Sequence, residues 1–244
     1  MADAVIAVTG EGPTDYGHLI FDKKNGPQWE WGPVLDLLEN CMKDYEIEDR
    51  PDFRQVRKEE LKDVKLLRSD RGLKGLAVPA RKFKKYCCGQ KIERGIFYAD
   101  ADAKDGSAKT APEAKKYYRE VYQVAASGLE MGEEKTFIPM IPLKMIENWL
   151  LADEDAFEYV FGKKPKLPQK PELIWGDKRD PDSDYPKNLL ERVRRDVSDD
   201  QNDSCRETFC RLAKAASPMN ICQAMAEGKQ PCKLCRPMEK LPDF

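Results

Sequence analysis

Two short acidic motifs carry the chemistry this sequence offers. Glu11 sits in Thr9-Gly10-Glu11-Gly12-Pro13-Thr14-Asp15, directly after the apolar run Ala4 to Val8, and Asp100 and Asp102 follow a second run, Gly95 to Ala99. Short continuous apolar runs of this kind read as strands buried on both faces of a parallel sheet. Ligands of such sheets collect beyond the carboxyl ends of the strands. If the two strands are neighbours, their ends lie about 5 Å apart, and Asp100 and Asp102 face one side about 7 Å apart. Three carboxylates gathered there repel one another unless protons or a cation neutralise them. Oxygen-only ligation, with no His or Cys nearby, favours Mg²⁺ or Mn²⁺ over Zn²⁺. Such ions organise phosphate oxygens and activate water, so phosphoryl chemistry is the expectation. The plainer alternative is a solvated turn over residues 100–105 and a helix-cap neighbour at Glu11.

A third element supplies further candidates. Lys144 and Glu147 are three apart in a stretch that reads as helix over 143–151, hence on one face. Glu147 is a candidate second-metal ligand or base, and Lys144 a candidate for stabilising charge on a phosphorane-like transition state. An ordinary intrahelical ion pair explains the spacing equally well. Asp153, further along, is a less certain companion. Ser107, Lys109 and Thr110 lie where a loop after Asp102 would meet phosphate.

The elements that must position these groups follow from periodicity. A strand at residues 4–8 leads through the turn-rich segment 9–15 into a helix over 32–45, with Val34, Leu37, Leu38, Cys41, Met42 and Tyr45 on one stripe. Residues 52–67 suit a strand running into a short helix. Helices are expected at 77–88 and 112–127, the latter opening on Pro112. A third strand is expected at 136–141, weakened by Pro139. Strands alternating with helices predict an α/β fold with a mainly parallel sheet flanked by helices. The prolines of 165–186 interrupt regular structure, so residues 162–187 read as a Pro- and Lys-rich linker. Helical patterning returns over 188–216. Residues 188–244 then form a small helical, cysteine-containing C-terminal region after a catalytic domain over 1–161.

Three stretches together resemble a TOPRIM domain: Val8 to Asp15, Phe97-Tyr98-Ala99-Asp100-Ala101-Asp102, and Pro142 to Asp153. The nearest type is the small stand-alone relatives of OLD-family nucleases found in bacterial and phage-defence gene neighbourhoods. The resemblance covers about the first two-thirds of the chain, and order and spacing carry its specificity. It implies a four-stranded parallel sheet, Glu11 as the family's glutamate after the first strand, Asp100 and Asp102 as its D-x-D metal ligands, and Glu147 as the additional acid of the OLD-like branch. It also implies a metal-dependent nuclease, a hydrolase of phosphodiester bonds in antiviral defence. OLD nucleases carry an ATPase in the same chain, whereas no G-x-x-x-x-G-K-[ST] loop occurs here. A separate ATPase subunit of SMC or OLD type is therefore an expected partner.

Charge composition narrows the partners. Forty-two Lys and Arg against 44 Asp and Glu leave a net charge of -2, so nucleic-acid binding must come from local patches or metal rather than from a cationic surface. Lys109, Lys163, Lys164 and Lys166 are candidates, as are Arg192, Arg194 and Arg195, although a solvated charged face is as economical. No run approaches the roughly 20 apolar residues of a membrane span. Met1 to Ala4 lacks the flank of a signal peptide, so a cytoplasmic protein, monomeric or homo-oligomeric, is expected. The eight cysteines then read as thiols or metal ligands rather than disulfides. Cys232-Lys233-Leu234-Cys235 is a single C-x-x-C knuckle, which Cys205, Cys210 and Cys222 would complete as a structural zinc site; free buried thiols are the alternative. His18, the only histidine, is a candidate acid or base, or a capping residue. Trp29, Trp31 and Trp175 suit base stacking less well than packing. Two rival functions stand: a non-enzymatic regulatory or adaptor subunit of a partner ATPase, and a nucleotide-sugar D-x-D, which leaves Glu11 and Glu147 unexplained.

Overall fold

Ile6, Ala7 and Val8 are fully buried, as a strand covered on both faces requires. They lie in β1 (Val5–Thr9), the second strand of a four-stranded sheet in a computed structural model that describes residues 5–44, 51–101, 111–130, 136–174, 176–198 and 205–225. The others are β4 (Asp52–Gln55), β5 (Arg94–Tyr98) and β6 (Phe137–Met140), in the order β4-β1-β5-β6. All three pairings are parallel. Pro139 is tolerated because β6 lies at an edge, where its missing N–H breaks no ladder. The sheet is thus α/β and parallel, flanked by helices, as expected from the alternation of elements.

The period of two along each strand divides the core. Ile6, Val8, Ile96, Tyr98, Ile138 and Met140 face one side, against α1 (Pro33–Asp44), α5 (Ile146–Leu150), α6 (Glu154–Phe161), α7 (Pro186–Val197), α8 (Cys205–Ala215) and α9 (Pro218–Met225). Ala7, Phe97 and Phe137 face the other, against α2 (Lys58–Lys62), α3 (Ala77–Gly89) and α4 (Ala111–Leu129). The stripe of α1 is as expected: Val34, Leu37, Leu38, Cys41 and Met42 are all buried.

Two local features differ from expectation. The helix expected over 143–151 is shortened to α5, because Met145 is extended (φ −149°) and acts as its N-cap. Residues 141–150 are all buried, so the apolar pattern carries no phase from which a helix start could be read. The second is an antiparallel hairpin, β2 (Gly17–Asp22) and β3 (Gly26–Trp31), inserted between β1 and α1.

The Pro- and Lys-rich stretch is fastened to the sheet layer. Lys144 Nζ donates to the Ile174 carbonyl at 2.6 Å, Asn148 Nδ2 to Pro171 at 2.6 Å, and Arg192 to Pro181 at 3.0 Å. Leu190, Val193, Phe209, Leu212 and Ile221 of α7 to α9 join the cluster that contains Ile6 and Val8. Asn40 on α1 donates to the carbonyls of Ala213 and Ala216, both at 2.9 Å, so groups left bare by the end of α8 are satisfied.

Asp153, a candidate companion of Glu147, serves this packing. It caps α6 through the amides of Asp155 and Ala156, and also accepts from Ser217 N–H at 2.7 Å and Asn220 Nδ2 at 3.0 Å. It thereby ties α9 to α6 while 2% exposed. Asp153→Ala is expected to lose about 2–4 kcal/mol of stability, since a cap and two tertiary bonds go together. Urea unfolding would show it, and a loss below about 0.5 kcal/mol would refute the assignment.

Candidate functional site

Thr9 lies opposite Phe97 in the β1–β5 ladder, so the segments following the two strands emerge side by side. The loop after β1 turns at Gly12 (φ +83°), a conformation costly for other residues, and Tyr16 N–H closes it on the Gly12 carbonyl at 3.0 Å. Tyr16 then anchors the loop from beneath. Its hydroxyl donates to Val8 O at 2.7 Å and accepts from Val56 N–H at 2.9 Å, joining β1 to the end of β4. Between these points the chain has one place to go, and Asp15 is driven inward, 5% exposed. Its backbone carbonyl accepts from Val34 N–H at 3.1 Å. Gly32 packs so closely there that a Cβ would stand 2.2 Å from that oxygen.

From β5, Tyr98 points into the same layer and Asp100 follows. The Tyr98 hydroxyl donates to Asp100 Oδ1 at 2.5 Å and lies 3.4 Å from Asp15 Oδ2. From α5, Glu147 arrives with 0% exposure, and neither of its oxygens receives a well-formed hydrogen bond. Asp15 Oδ1 is orphaned in the same way. From the first turn of α7, Lys187 brings its ammonium to 3.4 Å from Glu147 Oε1. Four separate elements thus deliver three acids and one cation.

The electrostatics record that crowding. Burial first, then the charges of Asp15, Glu147 and Glu11, holds the Asp100 carboxyl well above the usual range, against the pull of the Tyr98 hydroxyl. Burial also raises Asp15, with Lys187 and Tyr98 opposing and Glu11 adding to the rise. Glu147 is pushed up to about 7, by burial first, with Lys187 opposing and Asp15 reinforcing. Burial alone would lower Lys187, yet Glu147, Asp15 and Asp100 outweigh it and hold the ammonium above its ordinary value. Buried oxygens with neither proton donor nor full counter-charge are costly. A cluster of several is the environment in which functional groups gather.

Of the residues expected at the site, Glu11 and Glu147 lie within electrostatic reach of Asp100; Asp102 and Lys109 lie outside the described residues. Among the described residues no group of three or more His, Cys, Asp or Glu is arranged to hold a metal ion. The donor chemistry nevertheless fits a hard cation, because orphaned carboxylate oxygens are its preferred ligands.

Lys144 is placed differently from expectation: it precedes α5 and donates to the Ile174 carbonyl, and the cation that meets Glu147 is Lys187. His18 turns from the site, its Nδ1 against Arg206 and its Nε2 3.7 Å from Glu30. Trp29 and Trp31 pack on Tyr16, with centroids 5.0 and 5.6 Å away. Lys163 donates to the Asp196 carbonyl, and Lys164 pairs with Glu154 and Asp155. Arg192 pairs with Asp184, while Arg194 and Arg195 pair with Glu191. Lys166 is exposed in the same stretch. Burial holds the Cys210 thiol at about 11. The side chains of Cys205 and Cys222, with Cys232, Cys235 and Trp175, lie outside the described residues.

Asp15 and Lys187 are the residues sequence reasoning missed. Asp15 ends a turn-rich run and reads as a helix cap, and Lys187 is one of many lysines near prolines. The only signal was Asp15's place four beyond Glu11 in a loop already singled out. No family model, curated protein or solved structure matches the chain.

Proposed function

We propose that the chain is a Mg²⁺- or Mn²⁺-dependent phosphodiesterase, a nuclease acting on DNA or RNA in genome defence. One observation carries the reading: fully buried Glu147, whose oxygens lack a well-formed hydrogen bond and face the Lys187 ammonium at 3.4 Å, in electrostatic reach of Asp15 with its orphaned Oδ1. Asp15 and Asp100 would hold the cation together with Asp102, with Glu11 at the rim. When bound, a divalent ion polarises a phosphoryl oxygen and lowers the pKa of its water.

The chain's own groups do the rest. The Tyr98 hydroxyl fixes the rotamer of Asp100 and satisfies one of its oxygens, leaving the other for a ligand. Lys187 balances negative charge, and its partly exposed side chain allows the ammonium to turn toward an incoming phosphate. Glu147, poised near neutrality by burial, suits proton transfer to or from water at working pH. The resemblance to OLD-type proteins supports nucleic acid as the phosphodiester and a separate ATPase as partner.

The test is direct. Labelled single- and double-stranded DNA and RNA are incubated with the purified chain in Mg²⁺, Mn²⁺ or EDTA, and Mn²⁺ binding is followed by electron paramagnetic resonance without nucleic acid. Cleavage in either metal, abolished by EDTA, together with Mn²⁺ binding by the free protein, is the expected result. Neither binding nor cleavage would transfer the chain to the non-enzymatic class, a regulatory subunit of its ATPase.

A further inference from the structure

The β2–β3 hairpin has two unlike faces. Directly paired residues share a face and alternate along the ladder. His18 with Glu30 and Ile20 with Gln28 occupy one side; Gly17 with Trp31, Leu19 with Trp29 and Phe21 with Pro27 occupy the other. The second side is apolar from end to end. Its inner half is half-buried as Trp29 and Trp31 pack on Tyr16. Its outer half projects away from the core: Phe21 is 77% exposed, Leu19 36%, and Pro27 is exposed.

The turn beyond Phe21 carries Lys23 and Lys24, both exposed and without an ion-pair partner among the described residues. Asp22 is occupied in holding that turn, accepting from the amides of Lys24 at 2.6 Å and Asn25 at 2.9 Å. The root is equally fixed. Arg206 of α8 donates to the carbonyls of Pro13, Glu30 and Trp31, bridging the hairpin to the loop that carries Glu11 and Asp15. A rigid arm therefore rises from the acidic site and ends in an aromatic ring beside two cations.

The size of the outer face selects its occupant. Leu19 to Phe21 spans about 7 Å along the strand and the paired strand lies about 5 Å across. That is the footprint of one nucleobase, far below the roughly 800 Å² that a stable protein interface takes from each partner. Lysines next to an exposed ring complement a chain that alternates flat apolar bases with phosphates.

We propose that the outer half of this hairpin is a stacking platform for single-stranded nucleic acid: a base lies on Phe21 against Leu19 and Pro27, and adjacent phosphates meet Lys23 and Lys24. The platform rests on the phosphodiesterase reading and deepens it, naming an unpaired strand as the substrate form delivered to the carboxylates. A paired duplex offers no free base face to the ring.

Fluorescence anisotropy in EDTA, with a labelled oligonucleotide of roughly 20 nucleotides and its duplex, tests the platform apart from cleavage. Phe21→Ala is expected to weaken single-strand binding about tenfold and to leave duplex binding unchanged. Lys23→Ala with Lys24→Ala is expected to lower the salt slope of binding by about 1.4, two phosphate contacts on a single strand. Both variants change exposed side chains, so unaltered thermal unfolding accompanies the result. Hydrolysis of bis(p-nitrophenyl) phosphate in Mn²⁺, which needs no platform, is expected to match that of the unaltered chain. Unchanged strand affinity in Phe21→Ala with this hydrolysis intact would overturn the platform and spare the cleavage centre. A tenfold loss of affinity in a chain that hydrolyses no phosphodiester would do the reverse. If Phe21→Ala instead dissociates a dimer in sedimentation while strand affinity holds, the face belongs to a second copy and the proposal falls.

Discussion

Asp100→Asn is expected to abolish metal-dependent cleavage, by roughly 10³-fold or more, while making the metal-free protein more stable. The two effects have one origin. Asp100 is packed against Tyr98 beside Asp15 and Glu147, and its carboxyl is raised well above the usual range by burial and by those charges. Without a cation, keeping an acid there costs free energy whether it stays ionised among anions or binds a proton it would release in water. Asparagine keeps the oxygen that accepts from Tyr98 and removes the charge. A rise in Tm of at least about 2 °C in EDTA is expected, the shift that roughly 1 kcal/mol gives a chain of this size. The same exchange removes an anionic ligand, and with it the means of placing and activating water. Gains in stability at the expense of activity mark functional groups held in unfavourable surroundings. A variant that cleaves normally, or that melts lower in EDTA, would show Asp100 to be structural.

Glu147 sets the second expectation, a pH dependence of stability in the absence of metal. Its carboxyl moves from 4.5 in the unfolded chain to about 7 in the folded one. Between those values the folded state holds a proton that the unfolded state has released, so stability falls as pH rises through the window. Below about 4.5 both states are protonated and this contribution is fully retained; above about 7 its loss is complete, on the order of 3 kcal/mol. Glu147→Gln cannot titrate, and its stability curve over that range is expected to be flatter by about this amount. Lys187→Met removes a cation that opposes the rise, so the falling limb is expected to extend to higher pH. Urea midpoints measured from pH 5 to 8 in EDTA decide the matter. Parallel curves for the unaltered chain and Glu147→Gln would mean that the Glu147 carboxyl is not confined as described.

The pH range also separates roles within the cluster. Asp100 is raised by burial and by Asp15, and Asp15 by burial and by Glu11, so neutralising one acid relieves its neighbours. Asp100→Asn is accordingly expected to shift the Glu147 transition downward only to the extent that their charges interact. Such coupling belongs to the group as a whole rather than to one acid.

What the sequence determined, it determined through patterns that local physics enforces. A strand covered on both faces admits few polar residues, so residues 4–8 and 95–99 stand out as unbroken apolar runs at β1 and β5, and the first acids after them, Glu11 and Asp100, mark strand ends. The stripe of α1 and the Pro-led α4 are legible for the same reason. β6 is legible despite Pro139 because an edge strand needs fewer amides. Tertiary structure alone decided which strands are neighbours, and therefore that the loop after β1 and the segment after β5 emerge side by side. It alone turned Asp15 inward, since that depends on Tyr16 reaching Val8 and Val56 and on Gly32 admitting the Asp15 carbonyl, contacts between distant parts of the chain. It brought Lys187 to Glu147 by packing α7 on the sheet layer, and set Lys144 aside by starting α5 at Ile146, where uniform burial erases any helical phase. It also folded 17–31 into a hairpin whose apolar face mixes Gly, Leu, Phe, Pro and Trp and shows no alternation until the pairing is known. Charge and apolarity along the chain say which groups must find company; only the packed backbone says whose.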